Sequence, residues 1–297
     1  MSLSKPSPPT GSLVPNLSSL LSSEFLDHLV RYLGTWSGTD KLFTIVQFSL
    51  KLLVPVLNLR ARFQYRAGMK GTPSSDAASR LGKFASTISD SRTLWRFWGL
   101  FPIIQWLISL ERNPHPTKDM LHIERIQAWS MMGFYPLEHL SYLVSHDIIP
   151  SQLSSLSLNA GTLGMWSARF WATYVILQIV HLREDRKLLQ ARTRNYRRAK
   201  RNSLVSGEEG EIQKSWDAYW NEVVINAVNL PLALHWSSKK GFIKSEVLLS
   251  ILNLVAAIAS FRSGWRATAR PAPSTDDFPE PLEPVDPATT TGYDVSD

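Results

Sequence analysis

Leu42, Ile45, Val46, Leu52, Leu53, Val56, Leu59 and Phe63 recur at helical spacing and predict one long helix that opens near Ser37 and runs to Arg66. Ser37 with Asp40 three residues on reads as its capping signal. Phe43, Phe48, Leu50 and Leu57 widen the apolar arc beyond that of an ordinary surface helix, and Lys41, Lys51, Arg60, Arg62 and Arg66 supply a basic complement. Pro55 is expected to kink the rod. The pattern alone leaves two readings open, a core helix of a soluble bundle or a helix against lipid or a partner helix.

Before it, Phe25, Leu29, Tyr32 and Leu33 predict a short amphipathic helix that packs on the long one. After the Gly/Pro/Ser-rich stretch Gly68 to Ser75, a helix is predicted from Asp76 to Ser91, with Leu81, Phe84, Ala85 and Ile88 on one face and Arg80 and Lys83 off it. Ser86, Thr87 and Ser89 thin that face, and Arg92 falls near it. Thr93 to Leu110 is nearly continuous apolar and aromatic, with a break expected at Pro102. Asn113-Pro114-His115-Pro116 is a firm stop, and Met120 to Ser145 resumes helical spacing until Pro136 kinks or ends it. Leu153 to Leu163 reads as loop. Asn159 to Val180, with Arg169 as its single charge, has the length of a membrane span, although a central arginine costs about 2.5–3.5 kcal/mol. Trp216 to Trp236 is helical and mixed. The last apolar run, Val247 to Phe261, reaches spanning length only if Gly241, Phe242 and Ile243 join it. Sustained apolar/polar alternation is missing, so strands are not expected. The fold class is all-α, a bundle of amphipathic and membrane-embedded helices with disordered terminal tails. Its divisions are a flexible leader over residues 1–22, a helical domain over 23–265 and an acidic Pro-rich tail over 266–297.

Charge sharpens this picture. After Arg270 the chain carries seven carboxylates and neither Lys nor Arg, which leaves +14 on the rest of a protein whose net charge is +7. A basic body expects anionic company. Its densest part is Leu182 to Arg201, where Arg194, Arg197, Arg198, Lys200 and Arg201 follow Arg183, Arg186, Lys187 and Arg192. Placed beside an apolar helix, such a run attracts anionic phospholipid headgroups. Nucleic acid is not expected, since Tyr196 is the single stacking aromatic in the run. The 11 Trp include several beside Arg, as in Trp95-Arg96, Trp166 to Trp171 and Trp265-Arg266, a pairing suited to a headgroup interface. A secretory signal is not expected at the start of the chain.

Catalytic chemistry is thin. Without any Cys the chain has no disulfide, thiolate zinc site or cysteine nucleophile. The 7 His do not form a metal set, and Gly161 and Gly164 precede a helix without a phosphate-loop lysine. No active site, cofactor or metal is expected. A lipid-pathway enzyme or transporter would need Arg169 and the histidines to line a cavity.

Val30-Arg31-Tyr32-Leu33, followed by Gly38-Thr39-Asp40-Lys41-Leu42-Phe43, Gln47-Phe48 and Lys51-Leu52-Leu53, resembles the opening signature of the peroxin-11 family of peroxisomal membrane proteins, in its fungal, C-type-like branch. Ser79-Arg80-Leu81-Gly82-Lys83-Phe84 resembles that family's second signature. The resemblance covers about Leu26 to Ser263. It implies lipid insertion by Leu81, Phe84, Ala85 and Ile88, headgroup contact by Arg80 and Lys83, and a last membrane segment at Val247 to Phe261. It further implies a peroxisomal protein that elongates and divides the organelle by wedging helices into the cytosolic leaflet, with homo-oligomers and other division proteins as partners. The competing expectation is a soluble helical adaptor that binds partner proteins at a membrane surface.

Overall fold

The computed structural model describes residues 24–112, 117–153, 156–201 and 208–269. The leader, the stop at residues 113–116 and the acidic tail beyond 269 lie outside them. Helix α1 spans Glu24–Leu33 and α2 spans Trp36–Arg66. Thr35, in extended backbone, caps α2: its Oγ1 accepts from the Gly38 amide at 3.0 Å and donates to the Tyr32 carbonyl. The cap expected at Ser37 therefore falls two residues earlier, and Ser37 sits in the first turn. Pro55 lies inside α2, which continues past it.

Helix α3, Asp76–Trp95, is capped by Ser75 and runs one turn beyond its expected end. The break in the next apolar stretch is a 3-10 turn at Arg96–Gly99, not Pro102, which falls in the first turn of α4 (Leu100–Arg112), where a missing N–H costs nothing. Helix α5, Lys118–Ser145, passes through Pro136. Gln152–Leu153 (β1) pairs antiparallel with Leu156–Ser157 (β2), a two-residue ladder where only loop was expected. Helix α6 is continuous from Ala160 to Arg201, so the apolar stretch and the basic run are one rod of 42 residues, roughly 63 Å long at 1.5 Å per residue. Helices α7 (Glu208–Trp236) and α8 (Glu246–Ala267) complete the order.

Gly241 to Ile243 do not lengthen α8. Gly241 takes φ +61°, and the amides of Phe242 and Ile243 both donate to His235 Nδ1 at 3.1 Å, which folds the α7–α8 turn back on α7. The helix gains its length at the other end, through Arg262 to Ala267. Among the described residues two helices, α2 and α8, are long and apolar enough to cross a membrane; the Asn159 to Val180 stretch is not one of them.

Neighbouring helices pack in the order α2, α8, α7, α6, α5, α3 and back to α2, a ring whose slightest seam is α3 against α5. Helix α1 clasps the end of α8: Tyr32 is buried against Phe261 and Gly264, His28 Nε2 lies 2.9 Å from the Trp265 carbonyl, and Arg31 donates to the Thr268 carbonyl. The seams are built largely from small residues, among them Ala85, Ala128, Ala172, Ala233 and Ala257. Small side chains let helix axes approach closely, and polar groups then bridge the gap. Gln127 donates to Gln178 at 2.6 Å, Ser167 to the Phe134 carbonyl at 2.9 Å and Asn221 to the Ala259 carbonyl at 2.9 Å. Large apolar side chains point outward, as with Val56 at 60% exposure and Phe63 at 61%. Small and polar groups inside with bulky apolar groups outside is the arrangement that hydrocarbon solvent favours.

Candidate functional site

The first-signature residues form a joint rather than a reactive centre. Gly38 lies so close to the end of α1 that a Cβ there would stand 2.1 Å from the Tyr32 carbonyl oxygen. Thr39 Oγ1 donates to the Leu33 carbonyl, tying the same two helices. The adjacent Asp40 accepts from Arg92 Nε at 2.8 Å and Nη2 at 3.3 Å, while Gln47 Oε1, about two turns on, takes Arg92 Nη1 at 2.7 Å. Lys41 Nζ stands 3.8 Å from Asp40 Oδ2. The guanidinium thus holds two signature side chains of α2 on α3 with three of its donors, a use of the planar fork that an ammonium cannot copy.

Arg96, one turn beyond Arg92, reaches Glu138 of α5 at 2.8 Å and closes the thin α3–α5 seam. The second carboxylate oxygen of Glu138 is buried without a hydrogen-bond partner, and burial pushes this carboxyl up in spite of Arg96. Arg92, Arg96 and Glu138 were not legible as a set, since 46 positions separate Arg92 from Glu138 and no spacing rule joins them. The one signal was negative: Arg92 spoils the apolar face of its helix because it serves α2 instead.

On α3 the four positions expected to insert into lipid divide. Ala85 and Ile88 are buried, Leu81 is half-buried and Phe84 is 53% exposed, with Arg80 and Lys83 exposed beside it. Outward aromatics continue from Phe84 through Trp95 to Trp98 and Phe101 across the 3-10 turn.

On α6 the basic run is divided as well. Lys200 pairs with Glu209 at 2.6 Å and Arg192 with Glu208 at 3.0 Å, both across to the start of α7. Arg194, Arg197, Arg198 and Arg201 are exposed and carry no ion pair among the described residues. At 100° per residue Arg183, Arg186, Arg194, Arg197 and Arg201 fall within one third of the helix circumference, so they form an arginine stripe with buried Leu182 and Tyr196 to one side of it. Arg169 answers the cost of its apolar surroundings locally, through the Ser237 carbonyl at 3.3 Å and the Trp166 ring at 4.5 Å.

His181 lies at the foot of this run, with Asp185 Oδ2 2.9 Å from Nδ1 and Glu124 Oε1 3.0 Å from Nε2. The hydrogen bond to Asp185, joined by that to Glu124, raises its pKa above the usual 6.5 against the pull of desolvation. A raised folded pKa means that the charged histidine stabilises the α5–α6 pair fully below about pH 6.5, and that this contribution fades as pH climbs through the folded value. In thermal scans from pH 5.5 to 8.5, the melting temperature of the native chain should exceed that of His181→Gln most at the acid end. A gap that is flat or grows toward alkaline pH would refute the charged assignment.

Among the described residues no group of three or more His, Asp and Glu has the geometry to hold a metal ion. No curated protein and no solved structure gives a significant match to this chain. The family model for Peroxisomal biogenesis factor 11 (PEX11) matches residues 26–265, most of the chain and the whole of the ring just described. This chain therefore belongs to the PEX11 family and is a peroxisomal membrane protein that acts in peroxisome proliferation.

Proposed function

We propose that the protein elongates and divides peroxisomes by physical means, with α3 as a wedge, the α6 arginine stripe as an electrostatic anchor and self-association concentrating both. The observation that carries this reading is the outward apolar surface of α2 and α8: only 11% and 22% of their most apolar stretches is buried. A soluble adaptor would expose that area to water, whereas lipid accepts it. On this reading residues 23–265 are the helical domain, and no catalytic step is assigned.

Wedging need not unfold the ring. Phe84, Trp95 and Trp98 already face out, with Arg80 and Lys83 placed for headgroups, so a shallow insertion uses these groups. Deep insertion would require Ala85 and Ile88 to leave α2, a step opposed by Arg92 and Arg96. Both α3 and the arginine stripe lie between α2 and α8 in the chain, so where they sit relative to the bilayer depends on whether α2 and α8 cross it. The absence of Cys makes single-cysteine labelling of intact organelles a direct reading of that topology.

The stripe is testable on vesicles. Each exposed arginine near an anionic surface contributes about 1 kcal/mol, so replacing Arg194, Arg197, Arg198 and Arg201 together with Gln should weaken binding to phosphatidylserine vesicles on the order of a thousandfold. Unchanged binding in low salt would remove the anchor role. In cells, peroxisome number and length on deletion and overexpression test the whole reading, and alkaline carbonate washing separates it from the adaptor, which would leave the membrane pellet.

A further inference from the structure

The ring of helices encloses an open cavity of about 2130 Å³, well above the roughly 300–1,000 Å³ of common small-molecule sites. Its charge is unbalanced: Lys41, Lys51, Arg62, Arg92, Arg96 and Lys239 face it, against Asp40, Glu138 and Glu246. Arg92 takes both oxygens of Asp40, so the carboxylate beside Lys41 is already engaged. Lys41 Nζ remains 3.8 Å from Asp40, beyond hydrogen-bond distance, with 34% of its side chain exposed. An ammonium held in a partly enclosed site with unmet donors calls for an anion.

Lys51 and Arg62 extend the same positive edge along α2, a helix that also turns large apolar side chains such as Val56 and Phe63 outward. Ionisable groups on such a helix face a protein interior or cavity and mark where a polar ligand sits. The α6 and α8 walls carry no cation; Met165, Trp171, Leu249, Ala256 and Ala257 stand there among the neutral polar groups Ser167, Ser250 and Asn253, with Glu246 at the start of α8. A positive edge beside a largely uncharged, mainly apolar wall suits a molecule that is anionic at one end and hydrocarbon at the other.

We propose that this cavity holds one anionic phospholipid, its phosphate on Lys41 and its acyl chains along the α6–α8 wall. The site lies inside the ring, apart from the arginine stripe and the α3 surface, and stands whether or not those surfaces bend membranes. Arg92 acts there as a positioning residue: by occupying Asp40 it leaves the Lys41 ammonium for the ligand.

The test uses the full chain purified in mild detergent and native mass spectrometry with added dioleoyl phosphatidylserine. One lipid per chain should be retained, and Lys41→Gln should weaken retention about tenfold, the loss of one charge-assisted contact. Lys214→Gln, an exposed change away from the cavity, should retain the lipid as the native chain does. If Lys41→Gln fails to fold by circular dichroism, Lys41→Met, which keeps the stem and removes the charge, carries the same test. Dioleoyl phosphatidylcholine and inorganic phosphate are the competing probes. Equal retention of phosphatidylcholine, displacement by phosphate at equal concentration, an equal loss in Lys214→Gln, or no retained lipid would each overturn the proposal.

Discussion

Arg92→Ala should lower the melting temperature of the detergent-solubilised protein by roughly 5 °C, the shift expected when about 3 kcal/mol is lost from a chain of this size. The size of the effect follows from what is left behind. Asp40 and Gln47 are both largely buried, so removal of the guanidinium strands a carboxylate and an amide together. Arg92→Lys should recover less than half of the loss, because one ammonium cannot reach both partners in the geometry of the fork. A double-mutant cycle with Asp40→Asn isolates the pair: a coupling near zero would show that Arg92 acts by packing alone. The same substitution frees α3 from α2, so under the proposed function it should also deepen insertion of α3 into anionic vesicles.

Gly38→Ala should be the more damaging of two identical changes made in adjacent helices. At Gly38 the new methyl would stand 2.1 Å from a backbone oxygen, and a backbone cannot rotate away as a side chain can. The α1–α2 joint would have to open, at about 1–3 kcal/mol, more than offsetting the gain of roughly 1 kcal/mol from alanine in a helix. At Gly82 in α3 the nearest atom to a new Cβ is Val54 Cγ2 at 3.9 Å, so Gly82→Ala should be neutral or stabilising by up to about 1 kcal/mol. Denaturation midpoints of the two variants side by side decide the matter; equal midpoints would mean that the close approach at Gly38 carries no energy. Such a loss would also release Tyr32 from Gly264 and loosen the clasp of α1 on the end of α8.

These two positions show how far local pattern reaches. Gly38, Thr39, Asp40 and Gln47 stood out as a signature, yet their roles differ: close approach, a helix tie and two halves of a socket for Arg92. Short-range signals placed the helices well, because Ser75 and the apolar spacing that follows act within one or two turns. They misplaced the α2 cap, since Thr35 and Ser37 are both competent and only the entry angle of the chain from α1 selects between them. They also divided α6, since the change from apolar to basic surroundings at His181 alters the neighbours of a helix and not its hydrogen bonds.

The candidate surfaces divide along the same line. That α3 carries Leu81, Phe84, Ala85 and Ile88 on one side follows from periodicity; that Ala85 and Ile88 are turned to α2 while Phe84 is turned outward does not. The basic run is plain in the sequence, but its separation into paired Arg192 and Lys200 and a free-standing arginine stripe depends on Glu208 and Glu209 arriving from α7. Composition and period by themselves determined an all-α chain with a basic body, apolar helices and no thiol chemistry, because each of these depends on residues within a few turns of one another. The ring, its cavity, the Arg92 socket and the Arg96–Glu138 seam were decided by tertiary structure, because each joins residues that only packing brings within 3 Å.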